Sequence, residues 1–295
     1  MGCLYDEEYV SEIFPTLFAI VPEASVTSKV GMLFMMAYLL NVDRKKTLEL
    51  FLEVTKDYNH NYFTLPIHNG NPLLYLIRTN FNELVPYLTA ATKCEKGNDV
   101  TANLLFRAWI LGNDTAKPML LDFADQSPIA RNQLIDMVAR NCSRDFVNPM
   151  YEVLLRYLNY KDENLGQKYD YVFEHLSAWK SFFPTREYLD KFQRSEVSMY
   201  CSHHIHNYLK FLANEDPEYC LSFLANYYAQ RAKIQNMEYY ELREITEILI
   251  AAYNNVRTYD IDNESLERAM DMLDELLEKE EVNSYLDKCL NTLAK

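Results

Sequence analysis

Glycine is scarce in this chain, with six among 295 residues, where average usage near 7% would supply about twenty. The closest two, Gly97 and Gly112, are fifteen residues apart. No G-x-G and no Walker-type loop can be built from such spacing, because both need paired glycines to bring the backbone against phosphate. The shortage also argues against tight two-residue β-hairpins, which favour glycine at positive φ.

Paired cysteines are missing too. Cys3, Cys94, Cys142, Cys201, Cys220 and Cys289 are never closer than nineteen residues, so no C-x-x-C exists for zinc or redox chemistry. Scattered single cysteines in a core-rich chain read as reduced thiols in a cytoplasmic protein. Basic charge is in deficit: 29 lysines and arginines face 43 acids, a net charge of −14. Nucleic-acid binding displaces phosphate counterions with cations, so none is expected. The local triplet Arg44, Lys45 and Lys46 reads as the solvated first turn of a helix. The longest charge-free apolar run, Val30–Val42, has thirteen residues where a bilayer span needs about twenty, and a buried helix is expected there. Asp6, Glu7 and Glu8 stand where a signal peptide would be basic. No membrane association is expected.

What the chain does have is helical periodicity. Over 262–279, Leu266, Ala269, Met270, Leu273, Leu276 and Leu277 recur three and four apart, opposite Glu264, Glu267, Arg268, Asp271, Asp274 and Glu278; this spacing predicts one amphipathic helix. Four of the ten prolines follow a capping residue, in Asn71-Pro72, Ser127-Pro128, Asn148-Pro149 and Asp216-Pro217, and each pair reads as N-cap and first helical residue. About fourteen helices are expected, with 186–213 either one helix or split and Tyr58–Pro66 a long loop. The fold class is all-α. Helix pairs spaced at roughly forty residues point to an irregular HEAT- or armadillo-like α-solenoid of about seven antiparallel pairs. One repeat array is expected over 1–295, with a sub-boundary near 176–186 and acidic capping helices over 262–295.

The order of segments carries a resemblance. NPLLYLIRTNFNELVPYLTAAT (71–92) precedes DVTANLLFRAWI (99–110), then NDTAKPMLLDFADQSPIARNQLIDMVARN (113–141) and FVNPMYEVLLRYLNYKDENL (146–165); REITEILIAAYNN (243–255) and LERAMDMLDELLE (266–278) close it. This succession resembles the C-terminal helical-repeat region of large bacterial NACHT/STAND-type ATP-binding defence proteins and covers about three quarters of the chain. The resemblance implies a HEAT-like array that senses a phage or host protein. No Walker loop or effector domain accompanies it, so ATP hydrolysis does not carry over, and the chain is expected to be the array alone.

The densest cluster of ligand-type side chains is CSHHIH, Cys201 to His206. On a helix Cys201 and His204, and His203 and His206, lie at i,i+3, a spacing that can offer two ligands to one metal. A third ligand is not identifiable, and the alternative is a partly exposed helix with titrating histidines. Catalytic signatures such as H-E-x-x-H and G-x-S-x-G are missing, and Glu174-His175 reads as structural. Residues 262–287 hold ten acids against Arg268 and Lys279. That acidity suits the polar outer face of a terminal repeat or a docking face for a basic partner through Glu267, Asp271 and Asp274. Among 23 tyrosines, the pairs Tyr227/Tyr228 and Tyr239/Tyr240 are expected to place one ring inward and one outward.

The expectation is thus a cytoplasmic, non-enzymatic scaffold or sensor without a cofactor. Its partner would be another protein, such as an NTPase or effector subunit or a phage protein. The alternative is a helical enzyme or metal-binding protein with a polar pocket near residues 201–206, His203 and His206 being the candidate ligands.

Overall fold

The computed structural model describes residues 7–57, 73–94, 96–231, 239–258 and 263–278. These form fifteen α-helices and no strand. In chain order they are α1 Glu7–Ile20, α2 Val26–Leu39, α3 Arg44–Val54, α4 Leu73–Leu76, α5 Phe81–Thr92, α6 Asn98–Ile110, α7 Ala116–Gln126, α8 Pro128–Asn141, α9 Val147–Arg156, α10 Glu163–Trp179, α11 Thr185–Phe192, α12 His203–Glu215, α13 Pro217–Arg231, α14 Tyr239–Thr258 and α15 Asn263–Leu277. The 186–213 segment is split, with a 3-10 turn over Glu196–Tyr200 between α11 and α12. The expected loop over Tyr58–Pro66, the Asn71-Pro72 pair and the helices beyond residue 278 lie outside the described residues.

Polar caps start several of the helices. Ser25 accepts the Ser28 amide at 3.2 Å, Asp43 the Lys46 amide at 3.0 Å, and Asp162 the Leu165 amide at 3.2 Å. Two of the proline pairs work as expected: Ser127 accepts from the Ala130 amide ahead of α8, and Asp216 from the Tyr219 amide ahead of α13. Asn148-Pro149 does not. Helix α9 begins at Val147, and Phe146 is its N-cap without a side-chain bond. Pro149 still falls in the first turn, where a missing N–H breaks no intrahelical bond.

The chain divides into two compact units, Met1–Leu134 and Ile135–Lys295. In the first, α2 packs on α3, α5 on α6 and α6 on α7. Its core holds Phe14, Met36, Leu39, Leu50, Phe51, Leu84, Leu88, Leu104 and Leu105. Helix α2 covers most of the apolar Val30–Val42 run, yet it is buried on one face only. Met32, Leu33, Met36 and Leu39 point inward, whereas Phe34, Met35 and Tyr38 are exposed, Tyr38 by 54%. No helix among the described residues is long and apolar enough to cross a membrane. Of the basic triplet, Lys46 pairs with its own cap Asp43 at 3.9 Å and Arg44 donates to the Tyr75 carbonyl. Gly97 and Gly112 hold positive φ of 80° and 93° in the links on either side of α6.

The second unit has a regular internal order. Helices α10, α12 and α14 lie side by side and run in the same direction, because their cross-contacts advance together. Asp170 meets His203, Glu174 meets His204 and Lys180 meets Glu215. His206 likewise meets Glu244, and Asn255 donates to the Ala213 carbonyl. Lys168 of α10 reaches back to Asp136 of α8 at 3.3 Å. Helices α11 and α13 form a similar parallel pair through Arg186–Asp216, Tyr219–Asp190 and Asn226–Gln193. Residues 176–186 fall inside this unit, at the turn from α10 to α11.

Helix α15 packs on α13 and α14. Among its described side chains Met272 and Leu276 are buried, while Met270, expected on the inner stripe, is 52% exposed. Both Tyr227 and Tyr228 are buried, contrary to the in-and-out expectation, because α13 has α12 and α14 against it as well as α15. The side chain of Tyr239 lies outside the described residues, and Tyr240 is exposed.

Candidate functional site

The residues from Cys201 to His206 open α12, and the structure disperses them. Cys201 is buried and donates its thiol to the Gly166 carbonyl at 3.2 Å. Its own carbonyl accepts from the Tyr227 hydroxyl. Ser202 makes no cap bond. Instead the carboxylate of Asp170, on α10, accepts the His203, His204 and Ile205 amides at 3.1, 2.9 and 3.0 Å. A carboxylate at a helix N-terminus satisfies orphan amides and complements the dipole, so α12 is capped by the neighbouring helix.

The two candidate ligand histidines do not share a surrounding. His203 is exposed. His206 is 0% exposed, with Nδ1 2.8 Å from Glu244 Oε2. The other Glu244 oxygen accepts from Lys210 Nζ and the Tyr240 hydroxyl, both at 3.0 Å. Burial alone would raise the Glu244 pKa, but the bonds from Lys210 and Tyr240 and the neighbouring His206 hold it below the ordinary carboxylate value. His206 is therefore tied into a hydrogen-bonded network joining α12 to α14, and the expected exposure of this helix face is corrected at this position. Among the described residues no group of three or more His, Cys, Asp or Glu side chains could hold a metal ion. His204 stands 4.0 Å from Glu174, and His175 stacks on Trp179.

Burial raises the thiol pKa of Cys142 to about 11, and burial aided by Asp216 raises that of Cys220 to about 12. Both are protonated at neutral pH and poor nucleophiles.

One concavity of the second unit is a groove that no sequence motif marks. A depression of about 360 Å³ is floored by Phe183, Leu189, Tyr208, Phe211 and Leu212. Tyr208 and Phe211 also line a second depression of about 210 Å³, together with Phe173, Glu174, His204 and Asn207. Two ion pairs flank the first, Lys180–Glu215 at 3.2 Å and Arg186–Asp216 at 3.1 Å. The Arg186 guanidinium lies 4.5 Å from the Tyr219 ring centroid, and the Tyr219 hydroxyl donates to Asp190 at 2.7 Å. Burial, then the Asp190 bond, raises the Tyr219 pKa. Burial, with Cys220 and Asp216 nearby, pushes Tyr208 up to about 12. Both phenols stay protonated at neutral pH.

Glu267, Asp271 and Asp274 are exposed along α15, apart from these lining residues. The groove residues come from three separate stretches of sequence, and only the aromatic richness of the chain hinted at them. No protein-family model matches the chain, and neither a curated protein nor a solved structure does.

Proposed function

We propose that the chain is a non-enzymatic α-helical repeat scaffold that binds another protein through the groove lined by α10, α11 and α12. The observation that carries this reading is the groove itself: an aromatic floor open to solvent, flanked by exposed ion pairs and set on helices held by a buried network. Aromatic side chains are favoured anchors of protein interfaces. Exposed ion pairs are worth about 0–1 kcal/mol each, so a partner can rearrange them at little cost.

The recurrence of cross-helix contacts at 30 to 42 residues in the second unit supports an α-solenoid, in which each helix pair stacks on the next. A cytoplasmic place is proposed on the scattered single cysteines, and a role as the sensing part of a bacterial defence protein, with an NTPase subunit or phage protein as partner, on the resemblance alone.

The test is site-specific photocross-linking in the native cell. A benzoylphenylalanine at Asn207, in the groove, is compared with one at Asp271, on the acidic face. Capture of one defined protein at Asn207, lost when Phe211→Asp is added, is the expected result. Capture only at Asp271 would move the interface to α15, and capture at neither position would overturn the scaffold reading.

A further inference from the structure

Helix α2 has two apolar faces, and only one of them is buried. Gly31, Phe34, Met35 and Tyr38 recur at i, i+3, i+4 and i+7, so they share one side of the helix, and all four are exposed. Phe34, Met35 and Tyr38 are 41%, 44% and 54% exposed, whereas Met32, Leu33, Met36 and Leu39 fill the opposite, buried side. Thr27 and Asn41 continue the exposed stripe at its two ends. Lys29 is the single charge in α2, and it stands two residues from Gly31, about 200° around the helix. The exposed stripe is therefore uncharged.

Among the described residues nothing requires a glycine at position 31. Its backbone is helical, without positive φ, and a Cβ there meets nothing within 4 Å. Glycine at such a site costs about 1 kcal/mol of helix propensity. What it supplies is a hollow into which another chain can come close. The stripe is also graded in size. Its N-terminal half is small, with Thr27, Ser28 and Gly31, and its C-terminal half is large, with Phe34, Met35 and Tyr38. Two copies of this face laid antiparallel fit each other, Phe34 and Met35 over the other copy's Gly31 and Tyr38 against its Thr27. Laid parallel, large residues would meet large ones. A two-fold interface demands this kind of reciprocity, residue i on j and j on i.

We propose that the exposed face of α2 binds a second copy of this chain, the two α2 helices crossing antiparallel about a two-fold axis at the level of residues 32 and 33. The proposal is independent of the groove reading. Charge favours it in two ways. Copies of net charge −14 repel, and an uncharged stripe is where they can meet. The ends of the stripe also differ in sign: exposed Glu23 precedes α2, while Arg44, Lys45 and Lys46 against the single acid Asp43 follow it. Antiparallel pairing brings each acidic end to the partner's basic end. The area sets the strength. An aromatic side chain offers about 150–250 Å², so Phe34, Met35 and Tyr38 leave roughly 300 Å² uncovered in each copy. With the small residues and the rim, a pair buries about 1,000 Å² in total, the floor for a specific interface. The dimer is thus weak and concentration-dependent.

Sedimentation equilibrium of the full chain, from micromolar to millimolar, tests this. A monomer–dimer equilibrium is expected. Gly31→Leu, which fills the hollow, and Tyr38→Ser, which removes a large side chain, should each raise the dissociation constant about tenfold or more, with unchanged circular dichroism. Both positions are exposed, so neither change disturbs the core. Orientation is read by oxidising a mixture of Thr27→Cys and Tyr38→Cys chains and mapping the peptides. A disulfide between positions 27 and 38 is expected, and a link between two copies of position 27 would mean a parallel pair and overturn the proposal. So would a chain that stays monomeric throughout, or a dimer that neither Gly31→Leu nor Tyr38→Ser weakens. Monomeric chain that floats with phosphatidylcholine–phosphatidylserine vesicles, and no longer does so after Tyr38→Ser, would give this face to a lipid surface instead.

Discussion

Gly166 and Tyr200 approach so closely that a Cβ on the glycine would overlap the Tyr200 Cβ. This contact lets the 3-10 turn before α12 lie against α10, and it brings the Cys201 thiol onto the Gly166 carbonyl. Gly166→Ala forces the turn outward, at a cost of about 1–3 kcal/mol for overpacking, offset by up to about 1 kcal/mol of helix propensity. Gly31 is the internal control, since a Cβ there meets nothing within 4 Å. Gly31→Ala should stabilise by up to about 1 kcal/mol. Urea unfolding of both variants should give shifts of opposite sign.

Glu244 is the charge that holds His206 and Lys210 together. Removing one partner of a buried pair costs about 3–5 kcal/mol, and the partial exposure of Lys210 places Glu244→Ala at the lower end. The Glu244 pKa is lowered in the folded state, so its stabilisation is present above the unfolded value, about 4.3, and is lost as pH falls through the folded one. The gap in melting temperature between the natural chain and Glu244→Gln should be wide at pH 7 and shrink toward pH 3.

Asp170 caps α12 with three amide bonds from another helix. Asp170→Ala should cost about 2 kcal/mol, the upper end for a lost N-cap, and Asp170→Asn less, because its oxygen can still accept. Hydrogen exchange should locate the loss, with faster exchange at the His203, His204 and Ile205 amides. An unchanged rate there would mean that Ser202 or solvent had taken over the cap.

The acidic face of α15 carries little folding energy if its charges only meet water. Reversal of Glu267, Asp271 and Asp274 to lysine should change stability by no more than about 0.5 kcal/mol per site. A partner's association rate that falls on reversal, and falls with added salt, would instead mark this face as a docking surface.

Legibility followed the range of each interaction. The helices and their caps at Ser127 and Asp216 were readable, because a cap bond spans three residues. Asn148-Pro149 misled, since Arg144–Phe146 already forms a 3-10 turn running into α9. Tyr228 misled for another reason. A helix packed on one side obeys a single stripe, but α13 has neighbours on more than one side, so both of its adjacent tyrosines are buried. The CSHHIH cluster showed the right residue types with the wrong chemistry, because Gly166, Asp170 and Glu244 all lie more than thirty residues from the groups they bind.

By itself, the sequence determined an all-helical chain with polar caps and few glycines, because helix formation and capping are local and their signals sit within a turn or two of each other. Tertiary structure alone decided which histidine is buried, which neighbouring helix caps α12, and that Tyr208 and Phe211 share a groove. Those outcomes depend on how parallel helices align across intervals of thirty to forty residues, and that alignment comes from the packing of whole faces, which no single stretch of sequence encodes.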